Sequence, residues 1–300
     1  MATRVPDSPE TYETLRPLLF SIAYRMVGSV SEAEDIVQEA FLRHHRAMRE
    51  GDTEVQAPKA WLSAVTTRLA IDHLRSARVR RETYVGPWLP EPLMTDPGPD
   101  PSERAELADS LSIAFLAVLE SLSPVERAVY LLREVFGYGY DEIADVVDRS
   151  EDNCRQLATR ARRHVEAHRP RFPVAPERQE ELTERFMHAI ETGDADALVA
   201  LLAEDAVAYT DGGGKVRAAP RPIAGRDKVA RFLLVTAKRG AAETPFTAQP
   251  AAINGRPGRL LVGEDGTVHG VMELDVADDR IKAVHFVGNP DKLRHLHPAA

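Results

Sequence analysis

A single cysteine, Cys154, stands in 300 residues, so the chain closes no internal disulfide and is no small cross-linked secreted fold. Aromatic residues are scarce too, at 6% with two tryptophans, which leaves the cores to aliphatic side chains. No apolar run approaches the roughly 20 residues a membrane span needs. The opening Met1-Ala2-Thr3-Arg4-Val5-Pro6-Asp7 carries no apolar signal core, so the expected place is the cytoplasm, with no membrane partner. An excess of positive charge is also missing, because 38 Lys and Arg face 47 Asp and Glu for a formal net charge of −9. That excludes a protein that coats nucleic acid indiscriminately; any DNA contact must be local or made inside a larger complex.

Proline is what the chain has in quantity, and its 21 copies are unevenly spread. Between Glu82 and Pro101 lie Tyr84, Gly86, Pro87, Trp88, Pro90, Pro92, Pro97, Gly98, Pro99 and Pro101. No regular element survives that density, which predicts an extended linker. Pro170 to Pro176 forms a second punctuated stretch, and a chain of this length suits two or three domains that each bury a core.

The most informative stretch runs from Leu122 to Arg171. Ser123-Pro124 with Glu126 reads as a capping box opening a helix, whose apolar Val125, Ala128, Val129, Leu132 and Phe136 precede the break at Gly137 and Gly139. A short amphipathic helix follows, with Ile143, Ala144 and Val147 inward. Ser150 then caps another whose stripe is Cys154, Leu157, Ala158, Ala161 and Val165. That leaves Asp152, Asn153, Arg155, Gln156, Thr159 and Arg160 outside, with types able to bond base edges, and a basic tail including Arg162 and Arg163 for phosphates. The pattern reads as a helix-turn-helix; the plainer alternative is a solvated basic helix closing a bundle.

Upstream, Tyr12 to Arg49 is helical with a break at Gly28-Ser29, and Ser31 is the expected cap of the next helix. Its Ile36, Val37, Ala40 and Phe41 face inward, while Glu32, Asp35, Gln38 and Glu39 make an acidic outer face. Pro58 opens a third helix through Trp61, Leu62, Val65, Leu69, Ile71 and Leu74. Its end turns basic at Arg68, Arg75, Arg78, Arg80 and Arg81 beside Asp72 and His73, a composition suited to phosphates and unstacked bases. Trp61 sits at core spacing. Leu107, Leu111, Ala114, Phe115, Val118 and Leu119 are expected to pack beneath the helix-turn-helix.

Three segments carry a resemblance: Glu34-Asp35-Ile36-Val37-Gln38-Glu39-Ala40-Phe41-Leu42-Arg43, then Trp61-Leu62 through Ile71-Asp72-His73-Leu74-Arg75, then Leu122-Ser123-Pro124 to Arg163. In order and spacing they resemble bacterial extracytoplasmic-function sigma factors of the sigma-70 family. The resemblance implies a first helical domain (8–82) that binds the clamp helices of the β′ subunit of core RNA polymerase and opens the −10 element. It implies a second (105–170) that reads the −35 element of promoter DNA, after a linker at 83–104. Carried across by position, Asp35, Gln38 and Glu39 would meet the polymerase, and Arg68, Asp72, Arg75, Arg78 and Arg80 would lie near the −10 strand. Asn153, Arg155, Gln156, Thr159, Arg160 and Arg163 would enter the −35 major groove. Many relatives carry Asn where this chain has Arg68, so the fine −10 readout does not transfer.

After a linker at 171–178 the character changes. Glu177 to Thr192 and Asp194 to Leu202 read as helices, as does Gly225 to Lys238. Alternating strands are expected at Ala206 to Thr210, Val216 to Ala218, Phe246 to Ile253, Arg259 to Val262, Val268 to Val276 and Arg280 to Val287. Helices followed by a mostly antiparallel curved sheet describe an α+β cone over 179–295. The segment resembles the SnoaL-like, nuclear-transport-factor-2-like (NTF2-like) fold. With Asp211-Gly212-Gly213-Gly214-Lys215 and Asn289-Pro290-Asp291-Lys292-Leu293 it looks like the sigma-J-like group, in which the extension adjusts sigma activity in place of a separate anti-sigma protein. Those ten residues are the expected regulatory contacts, made with the sigma units and fixing their relative orientation. The glycine triplet lacks Walker spacing, so a tight hairpin is expected there rather than a nucleotide site.

Asp211, His269, Glu273 and His285 are titratable, but lone histidines in strands are more often core or surface than catalytic, so no catalytic residue is expected. His44-His45 and His295-Leu296-His297 lack a metal-binding frame and read as surface; neither a metal nor a cofactor is expected. An unidentified small ligand of the cone stays open. Two rival readings are a one-component regulator sensing a ligand in the cone, and a cyclase or isomerase of SnoaL type fused to a DNA-binding module.

Overall fold

The computed structural model describes residues 9–50, 57–95, 110–168 and 174–297. The chain divides into two compact units, Met1–Glu82 with Leu119–Ala167, and Thr83–Val118 with His168–Ala300.

The first unit is helical. α1 (Pro9–Val27) and α2 (Val30–Glu50) meet at Gly28, whose φ of 68° turns the chain, and α3 (Pro58–Glu82) packs across both. Leu19, Ile22 and Met26 of α1, Ile36, Val37 and Ala40 of α2, and Leu62, Ala70 and Ile71 of α3 supply the core. The cap of α2 is Ser29 rather than the expected Ser31, because the helix already begins at Val30 and the Glu32 amide donates to Ser29 Oγ at 3.2 Å. His44, expected on the surface, is buried with its ring 5.5 Å from Trp61. On α2 it follows Val37 and Ala40 at helical spacing and so faces inward. Trp61 itself is half-buried.

α4 (Ile113–Leu119) leads to α5 (Pro124–Tyr130), which opens on the expected capping box. The Glu126 amide donates to Ser123 Oγ at 3.3 Å and the Ser123 amide donates to Glu126 Oε2 at 3.2 Å. A π-helical turn, Leu131–Val135, extends α5 up to Gly137 at φ 71°. α6 (Tyr140–Val147) buries Ile143, Val146 and Val147. Val146 takes the place expected for Ala144, one i, i+3 step from Ile143. α7 (Glu151–His168) starts with the Asn153 amide donating to Ser150 Oγ at 3.3 Å, and all five residues of its expected stripe are buried.

In the second unit α8 (Pro176–Thr192) and α9 (Ala195–Leu201) precede a six-stranded sheet of order β2-β1-β6-β5-β4-β3. The strands are β1 (Leu202–Asp211), β2 (Ile223–Ala224), β3 (Phe246–Ile253), β4 (Arg256–Gly263), β5 (Val268–Ala277) and β6 (Arg280–Val287), with α10 (Arg226–Glu243) between β2 and β3. Every pairing is antiparallel except β1 with β6. Val216 to Ala218, expected as a strand, follows a turn in which the Lys215 and Val216 amides donate to the Gly212 carbonyl, and β2 pairs with β1 instead. Leu182, Phe186, Leu198, Val229 and Leu233 of the helices bury one sheet face with Leu274 and Val284.

The other face holds Leu260, Val262, Val271 and Val287, and with them Leu89 from the proline-rich segment and Ile113, the first residue of α4. Residues 83–95 of that segment form no helix, as their composition demands, but they are bound to the cone. The Leu93 amide donates to Asn254 Oδ1 at 2.9 Å, the Thr95 amide to the Ala252 carbonyl at 3.0 Å, and Asn254 Nδ2 to the Leu111 carbonyl at 2.9 Å. Leu111 was expected beneath the helix-turn-helix. Its apolar period marked an amphipathic stretch without naming the surface it covers, and Leu107 lies outside the described residues.

Replacing Ser123 with Ala should lower stability by about 1 kcal/mol. A denaturant melt followed by helical circular dichroism reads this, and an unmoved midpoint would contradict the cap.

Candidate functional site

With its stripe buried, α7 turns Arg155, Gln156, Thr159, Arg160 and Arg163 outward, while Asn153 on the first turn is half-buried. Arg155 is braced by Glu151 at 2.7 Å and by the Tyr140 ring, 4.7 Å from its guanidinium carbon. Thr159 Oγ1 donates to the Arg155 carbonyl at 2.8 Å, and Arg160 sits a long 3.9 Å from Glu126. The face presents an amide, a hydroxyl and guanidinium groups on a rigid helix, the donor set that recognises base edges and phosphates.

On α3, Arg68 is engaged rather than free. Its Nε donates to the Val146 carbonyl at 2.9 Å and its Nη2 to the Asp145 carbonyl at 2.6 Å, at the C-terminal end of α6, where a cation complements the helix dipole. Two further bonds tie other parts of this unit together. Tyr138 OH lies 2.9 Å from Ser63 Oγ, and buried Arg127 donates to the Met26 carbonyl at 2.6 Å. Asp72 and Arg75 pair with each other at 3.2 Å in the open. Arg78 and Arg80 lie on the last turns of α3, their side chains outside the described residues. On α2, Asp35 and Gln38 are exposed, and Glu39 is paired with Arg43 at 2.7 Å, a bond that holds its carboxyl below the ordinary range.

The ten expected regulatory residues meet at one place. Asp211, at the end of β1, is fully buried. It accepts from Tyr84 OH at 2.5 Å, the Leu89 amide at 2.9 Å, the Gly213 amide at 3.1 Å and Lys292 Nζ at 2.8 Å. Lys292, also buried, donates to the Leu89 carbonyl as well, and its ammonium lies 4.1 Å from the Trp88 ring centroid and 5.0 Å from that of Tyr84. Asn289 Nδ2 donates to Tyr84 OH at 2.8 Å, and burial beside the Asp211 carboxylate raises the Tyr84 pKa. Gly213 has φ 58°, and a Cβ there would fall 2.2 Å from Asn289 Nδ2, so only glycine lets the two loops close. Asn289 Oδ1 accepts from the Asp291 amide in the 3₁₀ turn of Pro290–Lys292. Leu293 enters the core that holds Leu89 and Ile113, and Lys215 pairs with Asp291 at 2.5 Å in the open. These loops therefore clasp residues 84–89. Sequence reasoning missed the clasped side, Tyr84, Trp88 and Leu89; two large aromatics within a proline-rich stretch were the available signal.

Of the titratable residues Asp211, His269, Glu273 and His285, only Glu273 and His285 are register partners, with Tyr209 stacked on His285 at 5.3 Å. Glu273 is fully buried, and desolvation lifts its pKa from 4.5 to about 8; the same cause drops His285 from 6.5 to about 4. His295, expected on the surface, is half-buried with Nε2 2.7 Å from the Pro92 carbonyl, because Leu296 anchors its turn in the same core as Leu293. Among the described residues no group of three metal-ligating side chains gathers, and no helix is long and apolar enough to cross a membrane.

Residues 11–80 match sigma-70 region 2 and residues 112–165 match sigma-70 region 4. The chain is 39% identical to the ECF RNA polymerase sigma factor SigJ of Mycobacterium tuberculosis H37Rv, over 94% of this chain and 92% of that protein. It is 33% identical to the probable ECF RNA polymerase sigma factor SigI of the same organism, over 94% and 93%. The crystal structure of M. tuberculosis SigJ superposes with a TM-score of 0.75 at 36% identity, covering 96% of this chain and 98% of that one.

Lys292→Met removes one partner of a buried ion pair and should cost about 3–5 kcal/mol. Limited proteolysis should then cut near Tyr84 to Leu89 at least tenfold faster, and an unchanged cleavage rate would contradict the clasp. Glu273 holds a proton that the unfolded chain has lost, so its contribution to stability is complete below pH 4.5 and is lost as pH rises to about 8. The His285 contribution has the opposite sense, present above pH 6.5 and lost as pH falls towards 4. Between pH 6.5 and 8 only the Glu273 slope of this pair operates, so Glu273→Gln should flatten the fall in melting temperature there; a slope equal to wild type would refute it.

Proposed function

The chain belongs to the extracytoplasmic-function RNA polymerase sigma factors, and on that premise we propose how its parts divide the work. As a sigma factor it binds core RNA polymerase, directs it to promoter DNA and initiates transcription. In this reading the α2 face of Asp35, Gln38 and Glu39 seats on the clamp helices of the β′ subunit. Arg68, Asp72, Arg75, Arg78 and Arg80 of α3 attend the −10 strand, where unstacked bases are trapped. α7 enters the −35 major groove with Asn153, Arg155, Gln156, Thr159, Arg160 and Arg163. The work is binding work in the cytoplasm; the protein makes and breaks no bonds.

Arg68 cannot touch DNA while both arms of its guanidinium hold the α6 carbonyls. Region 2 of the sigma fold thus has to part from α6 before −10 contact, and the carbonyls act as a holding position for a cation whose destination is phosphate. The negative total charge is consistent with this division, since the polymerase shares the task of gripping DNA.

The C-terminal cone regulates the sigma modules by controlling the segment that joins them, and it takes a small molecule as input. The observation that carries this is the clasp. Asp211-Gly212-Gly213-Gly214-Lys215 and Asn289-Pro290-Asp291-Lys292-Leu293 converge on Tyr84, Trp88 and Leu89, so any change in the cone is felt at the linker.

Reconstituted transcription with core polymerase and the full chain tests both parts. Gln156→Ala and Arg160→Ala should each cut promoter-specific transcripts about tenfold, as expected for losing about 1–3 kcal/mol of groove contact, without weakening polymerase binding. Lys292→Met, still polymerase-bound, should change transcript yield at least fivefold. Yields within twofold of wild type would sink the corresponding part.

A further inference from the structure

One face of the cone's sheet is covered by Leu89 of the protein's own linker and by Ile113 at the start of α4. Ile113 has no exposed surface, Leu89 has 2%, and both lie among Ile253, Leu260, Val262, Val271 and Val287. Beneath them Tyr209, His285 and Glu273 stand side by side on β1, β6 and β5, each the register partner of the next. The Ile113 amide donates to Glu273 Oε2 at a long 3.3 Å. Glu273 Oε1 and His285 Nδ1 are enclosed and have no hydrogen-bond partner. Leaving two such groups unmet costs about 1–3 kcal/mol each, so Leu89 and Ile113 fill the apolar part of this space and leave its polar floor unsatisfied.

We propose that this floor is a binding site for a small, uncharged molecule carrying one hydroxyl or carbonyl on a compact apolar body, and that Ile113 is its built-in competitor. The chemistry follows from the walls and the floor. Aliphatic walls reject sugars and nucleotides, whose many polar groups would go unpaired. The Arg256–Asp275 pair at 3.0 Å is the charged neighbour of the floor, and its charges already compensate each other, so an ionic ligand finds no counterion. Burial keeps Glu273 protonated and His285 neutral at pH 7, so one offers an O–H and the other a ring nitrogen lone pair or N–H. A single hydroxyl or carbonyl satisfies both, and its apolar body occupies the volume that Ile113 vacates. Because Ile113 is the first residue of α4, and the match to sigma-70 region 4 begins at residue 112, occupancy acts directly on the start of that region. The inference rests on reading the cone as regulatory, and it adds the input.

The test uses the full chain, ¹⁵N-isoleucine labelled, with cyclohexanol and cyclohexanone as probes and cyclohexanecarboxylate as the charged control. At millimolar concentration the two neutral probes should shift the Ile113 amide resonance and speed its hydrogen exchange at least tenfold, and the carboxylate should do neither. Ile113→Ala should bind them about tenfold more tightly. His285→Phe alone, and combined with Glu273→Leu, should weaken binding by at least that factor. The proposal is overturned if neither wild type nor Ile113→Ala binds a neutral probe. It is also overturned if binding ignores the His285 and Glu273 changes, if Ile113 stays protected when the probe is bound, or if an ordered water alone occupies the floor. Binding is read without polymerase, so failure of the regulatory reading in transcription leaves this result standing and separately interpretable.

Discussion

Asp211 is a carboxylate without exposed surface, and such a group persists only where donors replace its lost water. Four do so, and their origin is the point. The Gly213 amide and the Lys292 ammonium belong to the cone, whereas the Tyr84 hydroxyl and the Leu89 amide belong to the segment between the two sigma regions. Removing the linker would leave a buried charge with half its partners, so this fold keeps the linker as part of the cone's interior.

From that constraint the rest of the second unit follows. Once Leu89 is fixed by Asp211 and Lys292, the chain runs on to Leu93 and Met94, which pair against the β3–β4 turn, and returns at Leu111 to the same Asn254. Ile113 then drops onto Glu273 and becomes both a piece of the core around Leu260 and Val271 and the first residue of a helix. A proline-rich segment with no helical hydrogen bonds of its own is well suited to this. Its free amides and carbonyls are available to a neighbour, and its stiffness limits the entropy lost when it is bound.

Much of this was legible in the sequence, and the boundary between what was and was not is physical. The stripe of α7 could be read residue by residue, because a helix that buries Cys154, Leu157, Ala158, Ala161 and Val165 imposes a 3.6-residue period. Strands β3 and β6 also fell at their expected ends. Local patterns say which face is apolar, but not what covers it. Leu111 could be seen on an amphipathic stripe with Ala114 and Phe115 without the cone being visible as its partner, and Ile113 lay off that stripe. Likewise the resemblance to the sigma-J-like group marked both glycine-rich and Asn-Pro loops as contact segments, while the ion pair joining Asp211 to Lys292 across 81 positions appeared only with the fold. His44 was misread for the same reason: adjacent histidines look like surface until the helix face they occupy is known.

The account's central claim is that the free protein holds its own linker inside the cone. Hydrogen–deuterium exchange of the intact chain measures this directly at the amides of Leu89, Leu93, Thr95 and Ile113, whose acceptors are Asp211, Asn254, the Ala252 carbonyl and Glu273. The account predicts that these four amides exchange as slowly as their neighbours in β4 and β5. Exchange at the rate of an unstructured peptide, with the strands still protected, would contradict it.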